Sequence, residues 1–136
     1  MRLALLLATV AAAVVAVSGA MAAPASTMKP AIETKSNIGK VIATPMKLGI
    51  YYWDVEKKAG GKIKCTGSCT KMWPPVYVTG SVPKHVTGVM ATFGTVKRGM
   101  KHQLTVNGLP AYTFSGDKAG VVKCDGVDGW HAVKPM

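Results

Sequence analysis

Acidic residues are scarce: six Asp and Glu stand against 17 Lys and Arg, for a formal net charge of +11. The six acids, Glu33, Asp54, Glu56, Asp117, Asp125 and Asp128, fall mostly in turn-like segments without the paired-carboxylate spacing that glycoside hydrolysis needs. His85, His102 and His131 come without a nucleophile elbow or a zinc-protease motif, so no catalytic residue is assigned and an enzyme is not expected. The Cys-x-x-Cys-His sequence is missing as well, which excludes attached haem of that type. Arginine is nearly absent beyond Arg2: only Arg98 remains, so bidentate phosphate recognition is not what the composition supports. No long apolar run follows the N-terminal one, and no stretch sustains a helical period.

The N-terminus is an export signal. Arg2 precedes an apolar run from Leu3 to Val17, and Ala20 and Ala22 favour cleavage before Ala23. The run is shorter than the roughly 20 residues that span a bilayer. Residues 1–22 are therefore read as a signal peptide and 23–37, with Pro24, Ser26, Thr27 and Pro30, as a flexible leader. The 114 residues left after removing 22 from 136 suit one domain. An exported chain of net charge +10, once Arg2 is gone, favours an acidic envelope component or an acidic protein as partner, and no nucleic acid is expected.

From about residue 38 onward, β-branched and aromatic residues recur in short runs between Gly, Pro and Asn breaks. The runs predict strands at Lys40–Ala43, Gly49–Val55, Lys62–Lys64, Val76–Thr79, Thr92–Lys97, His102–Val106, Ala111–Ser115, Val121–Cys124 and Trp130–Val133, with one helical turn around Gly67–Met72. Asn107-Gly108 is the pair that a two-residue type I′ hairpin prefers, because both positions need positive φ. A second turn is expected at Lys57–Gly61, joining the aromatic strand to the one that delivers Cys65.

The chain repeats itself. Tyr51, Trp53, Glu56 and Lys57 recur as Tyr112, Phe114, Asp117 and Lys118 at an offset of 61. Lys64-Cys65 recurs as Lys123-Cys124 at 59, and Trp73 as Trp130 at 57. The expected fold is thus mainly β, a small single domain spanning 38–136 and built from two pseudo-repeated antiparallel units, about 40–79 and about 101–134. The four aromatics of the repeat read either as the core of two facing units or as a stacking platform for a planar ligand.

Cys65, Cys69 and Cys124 make an odd number of thiols for an oxidising compartment. Pairing of Cys65 with Cys69 is favoured, since neighbouring thiols pair there, and Gly67 between them eases the turn that a bond demands. Cys124 would then be a buried free thiol or link two molecules. Beyond the pair, Trp73-Pro74-Pro75 forms a stiff extended arm. The competing reading is a metal site: Cys65, Cys69, Cys124 and His131 are ligand types that zinc accepts, while Met72 with Cys69, and Met100 with His102, could serve copper.

Taken together, these residues resemble the bacterial secreted-repeat family of predicted lipoproteins with a Tyr-x-aromatic-x-x-Asp motif, whose function is not established. Tyr51, Trp53, Cys65, Gly67, Cys69, Trp73, Pro74 and Pro75 fit its first repeat. Gln103, Asn107, Gly108, Pro110, Tyr112, Phe114, Asp117 and Trp130 fit its second. Glu56 stands where the family has Asp, the lipid-attachment cysteine is missing, and Cys124 lies outside the usual pattern. The resemblance implies fold and compartment rather than activity. The leading expectation is an exported, non-catalytic binding module, periplasmic or extracellular, that needs no cofactor and offers Lys57, Lys58, Lys62, Lys64 and Lys71 to an acidic partner. The alternative is a periplasmic redox accessory that binds copper, with Cys124, Met100, His102 and His131 as ligands, or that associates with an electron carrier.

Overall fold

The computed structural model describes residues 10–14 and 29–136; the rest of the segment read as a signal peptide, and residues 23–28 of the segment read as a leader, lie outside the described residues. Residues 10–14 form no regular element. The folded part starts earlier than the composition suggested. β1 (Ile32–Ser36) pairs antiparallel with β2 (Gly39–Ala43), so the second half of the segment read as leader is a strand. Its polar sequence conceals this because β1 is half-buried and takes its order from its partner. Asn37 in the connecting turn brackets Val122, its amide nitrogen donating to the Val122 carbonyl at 2.9 Å and its Oδ1 accepting the Val122 N–H at 2.7 Å.

β3 (Tyr51–Trp53) is cut short. Where a strand was expected to run to Val55, Asp54–Lys58 forms a short helix, α1. Five residues are too few to display a helical period, but the charge order fits a helix, with Asp54 and Glu56 in the first turn and Lys57 and Lys58 in the last. The Lys57–Gly61 turn is accordingly the C-terminal end of α1, where the Gly61 N–H closes on the Glu56 carbonyl at 2.8 Å. Gly61 has φ +86° and packs so near the second unit that a Cβ there would lie 2.9 Å from the Gly108 carbonyl oxygen. Lys62–Lys64 is not a strand. The next element is α2 (Cys69–Met72), the expected helical turn.

β4 (Tyr77–Val78), β5 (Phe93–Arg98), β6 (Lys101–Val106) and β7 (Leu109–Pro110) form one antiparallel sheet in the order β4-β6-β5, with β7 also paired to β6. Asn107 and Gly108, at φ +52° and +80°, make the β6–β7 turn with Val106 opposite Leu109. β8 (Trp130–Ala132) returns to pair with β3. Ala111–Ser115 and Val121–Cys124, expected as strands, form only isolated bridges and scattered hydrogen bonds. For the first the cause is local: its neighbour contains Pro74 and Pro75, which supply carbonyls without N–H groups, so a full ladder cannot form.

The fold is mainly β, and the two units are interlocked rather than set side by side. β3 of the first pairs with β8 of the second, and β4 of the first with β6 of the second. One apolar core includes Ile42, Ile50, Phe93, Leu104 and Val106. A second core holds Tyr51, Trp73, Tyr112 and Trp130 with Val41 and Val122, and this is where the repeated residues meet.

Candidate functional site

Equivalent positions of the two units face each other across an approximate two-fold axis. The Tyr51 N–H donates to the Tyr112 carbonyl at 2.8 Å, and the Tyr112 N–H donates to the Tyr51 carbonyl at 3.0 Å. Each phenol then crosses to the acid of the other unit: the Tyr51 hydroxyl donates to Asp117 Oδ2 at 2.6 Å and the Tyr112 hydroxyl to Glu56 Oε2 at 2.7 Å. The acids also hold the backbone that leads to the cysteines, Glu56 Oε2 accepting the Lys64 and Cys65 N–H groups and Asp117 Oδ1 the Lys123 N–H. Such i-to-j and j-to-i contacts are the mark of an isologous interface. Here it lies inside one chain.

The aromatics obey the same symmetry. Trp53, Trp130, Trp73 and Phe114 follow one another with ring centroids 5.0, 3.9 and 5.0 Å apart. The three indoles are nearly parallel, at 4° and 7°. Tyr51 meets Trp73 edge-on at 5.1 Å, and Tyr112 meets Trp130 at 5.2 Å. Both inner indoles are buried, while the ends of the column, Trp53 and Phe114, are partly exposed. Burial, reinforced by the carboxylate that each phenol donates to, raises Tyr51 and Tyr112 far above an ordinary tyrosine.

Glu56 is completely buried and its Oε1 has no hydrogen-bond partner among the described residues. Around it stands a polar cluster. Arg98, at the end of β5, donates to Gln103 Oε1 at 3.1 Å, to the Tyr112 hydroxyl at 3.3 Å and to the Cys65 carbonyl. Buried Gln103 passes the connection on to the Ala111 carbonyl at 2.9 Å. The role of Arg98 was not assigned from the sequence. Its standing as the one arginine after Arg2 was the available signal.

Cys65 and Cys69 form a disulfide with Cα atoms 5.4 Å apart, and Cys124 is a free, partly exposed thiol. Burial raises the Cys124 thiol, with Asp117 and Asp128 adding to the effect. The thiol sits beside Tyr51, whose hydroxyl accepts the Cys124 N–H at 3.3 Å. The residues considered for metal are dispersed. Met100 is fully exposed at the β5–β6 turn, His102 lies on β6, and His131 on β8 contacts Asp54 Oδ2 at 2.9 Å and stacks on Tyr52. Among the described residues no three His, Cys, Asp or Glu side chains gather as a metal would require.

Lys57, Lys58, Lys62, Lys64 and Lys71 are all exposed, and none has a salt-bridge partner among the described residues. The Lys57 ammonium lies over the Tyr52 ring at 5.6 Å. Five of the six acids are occupied elsewhere, Glu56 and Asp117 as above, Asp54 with His131, Asp125 with Lys134, and Glu33 with Lys40 and the Met90 N–H, while Asp128 is exposed with no side-chain partner among the described residues. A separate groove of about 480 Å³ runs between Thr44–Leu48 and β4, with Pro45, Met46, Tyr77 and Val82 in its walls. Of the motif residues it includes Pro75.

Residues 34–77, from within β1 to the first residue of β4, match the family described as a secreted repeat of unknown function. No curated protein and no solved structure matches the chain. No helix among the described residues is long and apolar enough to cross a membrane.

Proposed function

We propose that this protein is an exported, non-catalytic binding module whose exposed lysines engage an acidic partner, either an acidic envelope component or an acidic protein. One observation carries the reading: five of the six acids are engaged in contacts within the chain while Lys57, Lys58, Lys62, Lys64 and Lys71 remain exposed without a salt-bridge partner among the described residues. A surface so depleted of counter-charge attracts polyanions over about a Debye length, roughly 8 Å at physiological salt. The match to a secreted repeat supports the compartment. The motif tyrosines and acids act as a scaffold, since each phenol donates to the acid of the other unit.

Exchanging Lys62→Glu together with Lys71→Glu tests the reading, because both side chains are exposed and neither supports the core. Retention on immobilised polyphosphate and on vesicles containing phosphatidylglycerol is expected to fall, and retention of the unaltered protein to weaken as salt rises. Unchanged retention in the double variant would overturn the assignment.

A further inference from the structure

The chain has three tryptophans, and all three stand in one column with both motif tyrosines set edge-on against its buried members. Each of those tyrosines donates its hydroxyl hydrogen to a carboxylate: Tyr51 to Asp117 and Tyr112 to Glu56. Packing alone asks for apolar contact. It does not ask that every indole be stacked parallel, or that each phenol at the column have a base within hydrogen-bond distance. We propose that the column is a one-electron relay, in which an oxidising equivalent captured at the partly exposed Trp53 passes through Trp130 and Trp73 to Tyr51 or Tyr112.

The oxidant is a small, diffusing radical, oxygen- or halogen-centred, of the class that attacks exported proteins. It takes one electron from Trp53 and leaves as its anion. Trp130 and Trp73 refill the vacancy in turn, each across a stacked contact of 5.0 or 3.9 Å. At the end the O–H bond of Tyr51 or Tyr112 breaks. Its electron restores the column, its proton goes to Asp117 or Glu56, and a neutral tyrosyl radical remains beside a carboxylic acid. The last step removes both the positive charge on the indole and the negative charge on the carboxylate, which a low-dielectric interior favours, most of all at buried Glu56. At Tyr112 the proton has a short path, since its hydroxyl already donates to Glu56 Oε2 at 2.7 Å. The inference stands independently of the acidic-partner reading.

Pulse radiolysis of the mature protein with azide radical, which oxidises tryptophan and becomes azide ion, reads the relay directly. The tryptophanyl absorption is expected to decay as the tyrosyl absorption grows, with one rate that does not change with protein concentration. The double variant Tyr51→Phe/Tyr112→Phe should lose the tyrosyl phase and keep the tryptophanyl radical. Tyr52→Phe/Tyr77→Phe should leave both phases intact, because those two tyrosines are not in the aromatic column. Asp117→Asn with Tyr112→Phe should slow the transfer, since an amide accepts a hydrogen bond but takes up no proton. Near-UV circular dichroism of the stacked indoles reports whether each variant keeps its fold. Should the Phe variants not fold, peptide mapping of spin-trap adducts on the unaltered protein locates the radical, expected at Tyr51 or Tyr112. A tyrosyl phase that survives the Tyr51/Tyr112 double variant, a rate that rises with protein concentration, or adducts confined to Tyr52 and Tyr77 would overturn the relay.

Discussion

Glu56 concentrates the residue-scale physics of this protein. An ionisable side chain is rarely buried without partners, and this one accepts from Tyr112 and from two backbone N–H groups through a single oxygen. Leaving a buried polar atom unpaired costs about 1–3 kcal/mol, so the contacts of Oε2 and the Arg98 cluster must more than offset Oε1. Asp54 behaves differently because it is near the surface. Its hydrogen bond to His131, against a smaller effect of burial and with Lys58 and Lys57 nearby, holds its carboxyl below the ordinary value of 3.8. A carboxyl depressed in the folded state stabilises fully above its unfolded value and loses that contribution as pH falls through the folded one. Asp54→Asn is therefore expected to be less stable than the unaltered protein at neutral pH, with the gap closing below about pH 3.8. Urea unfolding of both proteins across pH 2–6 checks this, and a gap that persists in acid contradicts it. Tyr51 and Tyr112 were visible in the sequence as a repeated pattern. That each phenol serves the other unit's acid was not, because the sequence aligns equivalents without showing which of them touch.

Element boundaries were legible where a strand is governed by its own residues. β2, β5, β6 and the Asn107-Gly108 turn lie where alternation and turn chemistry placed them. β1 escaped notice because its Lys, Thr and Ser residues are those of an exposed linker, and only pairing with β2 orders them. α1 escaped because a helix of five residues shows no period and follows directly on a strand. Its end depends on Gly61, which combines φ +86° with a backbone oxygen, that of Gly108, only 2.9 Å from where a Cβ would stand. Gly61→Ala should cost more than about 1 kcal/mol, since the substitution is strained in backbone as well as in space. Equilibrium denaturation measures the loss, and a value within error of zero would mean that the α1 end and the Asn107 turn can move apart freely.

At the scale of the molecule the two units are joined by contacts that neither can make alone. The strand pairs β3–β8 and β4–β6, the exchanged tyrosine contacts and the aromatic column all cross between them. A fragment ending at Thr79 would lose the partners of Tyr51, Trp73 and β3 together, while a segment of that size is already marginal for independent folding. Residues 29–79 alone are expected to show no cooperative unfolding transition and no near-UV tryptophan dichroism, and mixing with 80–136 should restore both. A fragment that folds by itself would show that each unit is self-sufficient.

Composition and local pattern were enough for a basic, mainly β chain of two related units with a Cys65–Cys69 staple, because turns, alternation and near-neighbour thiols are properties of short stretches. They were enough also for the secreted-repeat resemblance that residues 34–77 bear out. Only the tertiary structure revealed how the repeats interlock, where Arg98 reaches, and that three indoles separated by 20 and 57 residues stack as one column. Contacts between positions so far apart depend on the closing of the whole chain around a common axis, and no stretch of sequence carries that geometry by itself.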